Sequence, residues 1–354
     1  MRISQRISLS KKFGLTQIAG DLDFRKQNIL VTGGADGIGA AIVTALHGLG
    51  AHVTVLDIQQ DKLDTLKKTL GTRITTFAFD LSQSDPAAYD DLAQKIVTSV
   101  PHGKIDAFIM NAGVIKLTDI TKHNSVANTP SWEFQTLAQI NAHSHADIYR
   151  ALSSHFSDDA RLVVTSSPIV GRADPKTAAY SVSKRMLESY ANNIAAEINS
   201  SGKQINGYVP PPVQNFLRTD IKPDEPAHAH PDGIDIVEIP LRLAARSVAP
   251  QFNGKVISFA YDHLRDKSRT TPSGAAYDFM PRSTVDNGFV YDLRWRGFDQ
   301  GGGDDGETLV QGYSTAAMRV IMGLGVTPDM DPDTPIRQLY KMPDHIQKHR
   351  STKP

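Results

Sequence analysis

Across 354 residues, 38 Lys plus Arg balance 38 Asp plus Glu, and a net charge of zero gives no electrostatic footing for nucleic-acid binding. The chain has no cysteine, which excludes disulfides and thiol catalysis, and no run of about eighteen apolar residues to span a membrane. The length allows one large domain or two small ones, with enough apolar residues for a sizeable core.

Residues 1–20 carry Arg2, Arg6, Lys11 and Lys12 and no acid. They read as a basic N-terminal arm. The expected location is the cytoplasm. A mitochondrial transit peptide is the alternative, since serine-rich, basic, acid-free termini have that composition.

The next stretch sets the architecture. Asn28-Ile-Leu-Val-Thr32 is a short buried-strand pattern, followed at once by Gly33-Gly-Ala-Asp-Gly-Ile-Gly39. Ala40–Leu49 then reads as a helix, with Ile42, Val43 and Leu46 at helical spacing, stopped by Gly50. His52–Leu56 is a second strand, closed by Asp57. Glycines at 33, 37 and 39 let backbone approach a pyrophosphate at the helix N-terminus, where N–H groups and the dipole favour anions. Asp57 stands where a carboxylate can hold ribose hydroxyls.

The alternation continues. Helices are expected at Asp61–Leu70, Pro86–Val100, Trp132–Ala151 and Tyr180–Asn199. Strands are expected at Ile74–Phe79, Ile105–Met110, Arg161–Thr165 and Gln204–Val209. Ile236–Ala249 reads as a further helix and Lys255–Ala260 as a last strand. Such a chain predicts an α/β fold, a Rossmann-type doubly wound parallel sheet covered on both faces. Ligands in these sheets bind beyond the strand carboxyl ends. Thr32, Asp57, Asp80, Asn111 and Ser167 all fall there, which points to one composite site.

Chemistry gathers between Ser166 and Met186. Tyr180 and Lys184 lie four apart on a helix and share a face. A phenol is a poor base at neutral pH, and a nearby cation favours its phenolate. Tyr180 can then exchange a proton with an alcohol or carbonyl oxygen while Ser167 holds that oxygen. The Tyr-x-x-x-Lys spacing alone is weak, because with ten tyrosines chance supplies it about half the time.

Taken together, these motifs make residues 21–262 resemble the short-chain dehydrogenase/reductase family. Thr32-Gly-x-x-x-Gly37-x-Gly39 resembles its cofactor loop, and Ser167 precedes Tyr180 by the family's thirteen residues. The resemblance implies an NAD-dependent oxidoreductase that interconverts a secondary alcohol and a ketone by hydride transfer. Gly33, Asp36, Gly37, Ile38, Gly39 and Asp57 would bind the cofactor, with Asp80 and Leu81 at the adenine. Asn111, Ala112 and Gly113 would lie beneath it, and Val213 beside the nicotinamide. Tyr180 would be the general acid/base and Ser167 the stabiliser of the reacting oxygen. Lys184 would lower the tyrosine pKa and bind the nicotinamide ribose, and Asn141 would organise a proton-relay water. The resemblance also implies a homo-oligomer, dimer or tetramer, with a small-molecule partner and no metal.

Two further readings stand beside this one. A sugar-nucleotide epimerase or dehydratase would suit the length, but its glycine spacing usually differs. A non-catalytic NAD(H)-responsive protein is the other, since Pro210-Pro211-Pro212-Val213-Gln214-Asn215 departs from the family's usual Pro-Gly. Pro211 has no N–H, and Asn215 stands where a threonine is common.

Residues 263–354 form a C-terminal extension without counterpart in that core. Phe289, Tyr291, Leu293 and Trp295 alternate with Asp292, Arg294 and Arg296, which predicts a half-buried extended segment. Gly301–Gly306 reads as a link and Thr308–Leu324 as a helix, the whole extension packing on the core. His143 and His145 lie two apart and face nearly opposite ways, so they do not chelate one metal together. His228 and His230 read as solvated loop residues, and Arg172 as a surface arginine or an anion contact. Asp329, Asp331 and Asp333 lack a calcium loop's glycine and closing glutamate.

Overall fold

The computed structural model describes residues 22–115, 117, 125–171, 174–210, 237–246, 253–260, 284–285, 288–289, 292–298 and 307–310. The basic arm, Arg172, the Pro211–Asn215 segment with Val213, His228, His230, the Gly301–Gly306 link and the aspartates at 329–333 lie outside them.

The first strand, β1 (Asn28–Thr32), is buried along its whole length. It leads through the glycine turn into α1 (Gly37–Gly48), then β2 (His52–Asp57), α2 (Gln60–Leu70), β3 (Ile74–Ala78) and α3 (Pro86–Ser99). Asp36 and Asp85 cap α1 and α3 with their carboxylates, on Gly37 N and Ala87 N, which satisfies one of each helix's unpaired N–H groups. The chain continues with β4 (Ile105–Met110), α4 (Ser131–Ala138), a π-helical turn (Gln139–His143) and α5 (Ser144–Leu152). The strand β5 (Phe156–Thr165), α6 (Ala178–Glu197), β6 (Gln204–Val209), α7 (Glu238–Ala244) and β7 (Lys255–Ala260) complete the core.

Seven of these strands form a parallel sheet in the order β7-β6-β5-β4-β1-β2-β3. The order reverses between β1 and β4, so a crevice opens above their carboxyl ends. Strand side chains alternate between two apolar layers. Ile29 and Val31 face one layer with Val43 and Leu46 of α1, Leu63 of α2 and Leu241 of α7. Leu30 and Phe108 face the other with Tyr89 and Leu92 of α3, Leu152 of α5 and Leu187 of α6. Helices on both faces explain why β1, β4 and β6 are buried throughout.

Several expectations change. The helix expected at Trp132–Ala151 is interrupted by the π-helical turn, an i→i+5 widening that periodicity does not reveal. The strand expected at Arg161–Thr165 begins earlier, at Phe156. The helix expected at Ile236–Ala249 is shorter and ends where Ala245 turns to extended backbone. The sheet is larger than its parallel part. From the extension, β10 (Asp292–Gly297) pairs antiparallel with β7, and β11 (Glu307–Val310) pairs antiparallel with β10. The alternating segment thus falls on β10 and on β9 (Gly288–Phe289), which pairs with β8 (Thr284–Val285). The start of the expected Thr308–Leu324 helix is strand instead, because β10 offers an open row of backbone groups that a helix would leave unmet.

Phe298, just past β10, anchors the extension. It is buried, and a Cβ placed on Gly207 of β6 would come within 3.1 Å of its ring. Glycine at 207 makes room for that phenyl.

Candidate active site

The crevice above β1 and β4 is built on Thr32. Its hydroxyl oxygen accepts from Asn111 N at 3.0 Å and Ala112 N at 3.1 Å. The single hydroxyl proton then points to His145 Nε2 at 2.9 Å, since Ile109 O is farther at 3.4 Å. The imidazole proton therefore sits on Nδ1, an assignment made from the hydrogen-bond network. Asn111 in turn donates to Thr32 O at 3.1 Å and Gly33 O at 3.2 Å. One hydroxyl and one amide tie the ends of β1 and β4 together and fix the start of the glycine turn.

The turn requires its glycines. Gly33 and Gly37 adopt φ of 63° and 56°, a region costly for residues with a Cβ. Gly39 is constrained by space instead: its Cβ would lie 2.0 Å from Gly33 O and 2.6 Å from Asn111 Nδ2. The first turn of α1 has no intrahelical carbonyl for its N–H groups. Gly37 N and Ala40 N turn to Asp36, leaving Ile38 and Gly39 to present N–H groups at the positive end of the helix dipole. Backbone N–H groups, glycine and partial exposure suit a diphosphate.

At the rim, Asp57 closes β2. Its Oδ2 accepts from Ala35 N at 3.0 Å and its Oδ1 from Gln59 N at 3.0 Å. Asp80 Oδ1 accepts from Ser82 N at 2.8 Å, beside the buried Leu81. Sequence reasoning missed Lys62. It reaches from α2 to Asp36 Oδ2 at 2.8 Å, each side chain about one-third exposed. Nothing in local spacing announces a contact across 26 residues.

The proton-handling groups converge at the ends of β4 and β5. Tyr180 shares a hydrogen bond with Ser167. Lys184, buried on the same helix, donates Nζ to Thr165 O at 2.9 Å. Asn141, in the π-helical turn, accepts from Val114 N and donates to Val114 O, both at 2.8 Å, and donates to Ser183 Oγ at 2.8 Å. A Cβ on Gly113 would lie 3.1 Å from Asn141 Oδ1 and 3.2 Å from Lys184 Nζ, so Asn141, Gly113 and Lys184 are neighbours.

Electrostatics at this end are governed by burial. Desolvation pushes the Tyr180 phenol above its ordinary range, and the Ser167 bond works against that. Desolvation lowers Lys184 to about 8, opposed by the Glu188 carboxylate. The expected lowering of Tyr180 by Lys184 is not among the causes of its shift, since burial dominates and the ammonium is aimed at Thr165 O. His145 is pushed down to about 3, chiefly by burial, then by the Lys184 charge. The nearby Asn141 backbone favours the charged form, but Nδ1 completes no hydrogen bond. His143 instead meets Tyr190 OH at 2.8 Å, so the two histidines do face apart. Among the described residues no group of three acidic or histidine side chains could hold a metal. Nor is any helix there long and apolar enough to cross a membrane.

The family model described as short chain dehydrogenase matches residues 27–226. A 3-oxoacyl-(acyl-carrier-protein) reductase of Rickettsia bellii is 26% identical over 202 residues, covering 56% of this chain and 76% of that protein. A hydroxynaphthalene reductase of Aspergillus fumigatus is 25% identical over 244 residues, covering 65% and 84%. Among solved structures, a chain described as a short chain dehydrogenase from Pseudomonas syringae superposes with a TM-score of 0.61 at 26% identity, covering 66% of this chain and 95% of that one. Another from Shigella flexneri, complexed with NADP, gives 0.58 at 25% identity, covering 63% and 92%.

Proposed function

The chain belongs to the short chain dehydrogenase family, with its reductase relatives, and from that premise we propose that it is an NAD-dependent oxidoreductase interconverting a secondary alcohol and a ketone. The observation that carries this reading is the convergence of Ser167, Tyr180, Lys184 and Asn141 at the ends of β4 and β5.

When bound, the nicotinamide supplies the two-electron hydride chemistry. The chain's own groups manage the proton. In the oxidative direction the Tyr180 oxygen takes the alcohol proton, and in the reductive direction its O–H returns it. Ser167 Oγ donates to the same oxygen and holds the carbon it bears at one place. Lys184, buried with its ammonium on Thr165 O, supplies the positive charge of this setting and would hold the nicotinamide ribose. Asn141 holds Val114, the residue after Gly113, by two hydrogen bonds.

NAD rather than NADP is supported by two carboxylates at the rim. Asp57 sits at the end of β2, where ribose hydroxyls would lie and a 2′-phosphate would be repelled. Asp36 adds a second negative charge and is paired with Lys62. The Shigella relative is an NADP complex, so the choice is one to measure. The protein should bind NAD+ at least tenfold more tightly than NADP+ in calorimetric titrations, about 1.4 kcal/mol. Equal affinities would overturn the NAD assignment and leave the oxidoreductase reading intact.

A further inference from the structure

Three consecutive residues at the end of β5 are each tied to one face of α6. Ser167 bonds Tyr180. Thr165 O accepts from Lys184 Nζ at 2.9 Å. Ser166 Oγ donates to Glu188 Oε1. The helix partners are 180, 184 and 188, one turn apart, so the strand end is read by a single stripe. The third member lies outside the proposed proton chemistry, yet Glu188 is fully buried. A carboxylate taken out of water is costly unless it is paired and hydrogen-bonded. A glutamine would accept the same Ser166 proton without that cost. What glutamine lacks is charge, and the nearest consequence of that charge is Lys184, one turn away.

We infer that Glu188 is a positioning residue of the active site, clamping Ser166 to α6 and placing a buried counter-charge one turn from Lys184. This inference rests on the role given to Lys184 above. The clamp fixes the peptide between the Lys184 acceptor, Thr165, and the oxygen-holding Ser167. The charge acts through the low-dielectric interior, where a one-turn separation still matters.

Other groups around Glu188 leave this assignment in place. On its own helix Arg185 Nη1 lies 3.5 Å from Oε2, with its side chain 42% exposed. It therefore answers part of the Glu188 charge from the solvent side. Tyr180 is two turns away. From the end of β5 and the two residues after it come the hydroxyls of Thr165, Ser166 and Ser167. From β6 comes the Tyr208 phenol, held neutral by burial and bonded by Thr165 Oγ1. From α5 comes His145, neutral for the same reason. On the π-helical turn and α4, His143 is taken by Tyr190 and Glu133 accepts from Leu117 N.

The test is the affinity for NADH between about pH 6 and 10, followed by fluorescence, with thermal unfolding as the check on folding. In the wild-type protein binding weakens as pH rises and Lys184 loses its proton. Glu188→Gln should move that midpoint down by about one pH unit. Ser166→Ala should weaken binding several-fold and leave the midpoint where it was, since it cuts the clamp and keeps the charge. Should Glu188→Gln fail to fold, Arg185→Met should move the midpoint up by removing the cation that answers Glu188. A wild-type profile with no such midpoint overturns the Lys184 role itself. A wild-type midpoint that stays fixed in Glu188→Gln, or in Arg185→Met when that variant stands in, overturns the inference about Glu188 alone.

Discussion

At the residue scale, burial decides more than partnership. His145 shows this most clearly. It sits on α5 with no exposure, held to Thr32, and is pushed down to about 3 from an ordinary 6.5. Its folded pKa is depressed, so between those values the unfolded chain binds a proton that the folded chain refuses. Stability therefore falls as pH drops below about 6.5 and stops falling on this account below about 3. Between pH 7 and pH 4 the group should cost about 3 kcal/mol. Urea unfolding at the two values checks this. His145→Gln, which does not titrate, should lose stability at pH 7 but show a difference between the two pH values smaller by that amount. An unchanged difference would show that the imidazole is reached by solvent protons at little cost.

At the element scale, the glycine turn and α6 carry the site. Gly39→Ala would drive a methyl into Gly33 O, a backbone atom that cannot swing aside. The variant should unfold at lower denaturant by roughly 2–4 kcal/mol and lose most NAD+ affinity, both measurable on one preparation. These elements were legible in the chain. The strand–glycine–helix–strand unit is written in consecutive residues, and the Ser167, Tyr180 and Lys184 spacing is local. What escaped the sequence was long-range. The bridge from Lys62 to Asp36, the His145–Thr32 bond and the buried Glu188 all need the fold to bring partners together. Glu188 alone left a trace: it continues the four-residue step from Tyr180 to Lys184. The π-helical turn left none, because inserting one residue in a helix changes hydrogen bonding without changing composition.

At the scale of the whole molecule, two strands of the extension, β10 and β11, join the sheet. The extension follows β7 in the chain, and the sequence led only to the expectation that it packs on the core, without showing which edge it joins. The structure places β10 along the β7 edge and Phe298 against Gly207. We propose that β10 and β11 stabilise the core by covering that edge. Phe298→Ala should cost about 3–5 kcal/mol, the range for emptying a buried phenyl site, read by denaturant unfolding. Truncation after Asp262 should bare the β7 edge, which is a template for pairing with another chain. The shortened protein should be less soluble, with a changed mass by size-exclusion chromatography and light scattering. Unchanged mass and solubility would mean that the extension is only a tether.

The central claim is that Tyr180 moves the proton while the glycine turn and Asp57 hold the cofactor elsewhere in the crevice. The direct measurement is NADH formation from NAD+ and a panel of secondary alcohols, alongside NAD+ affinity, for the wild-type protein and Tyr180→Phe. The account predicts turnover by the wild-type protein on at least one alcohol. In the variant it predicts a loss of about 10²–10⁴-fold with NAD+ affinity within a few-fold of wild type. A Tyr180→Phe enzyme that keeps its turnover within a few-fold of wild type would contradict it.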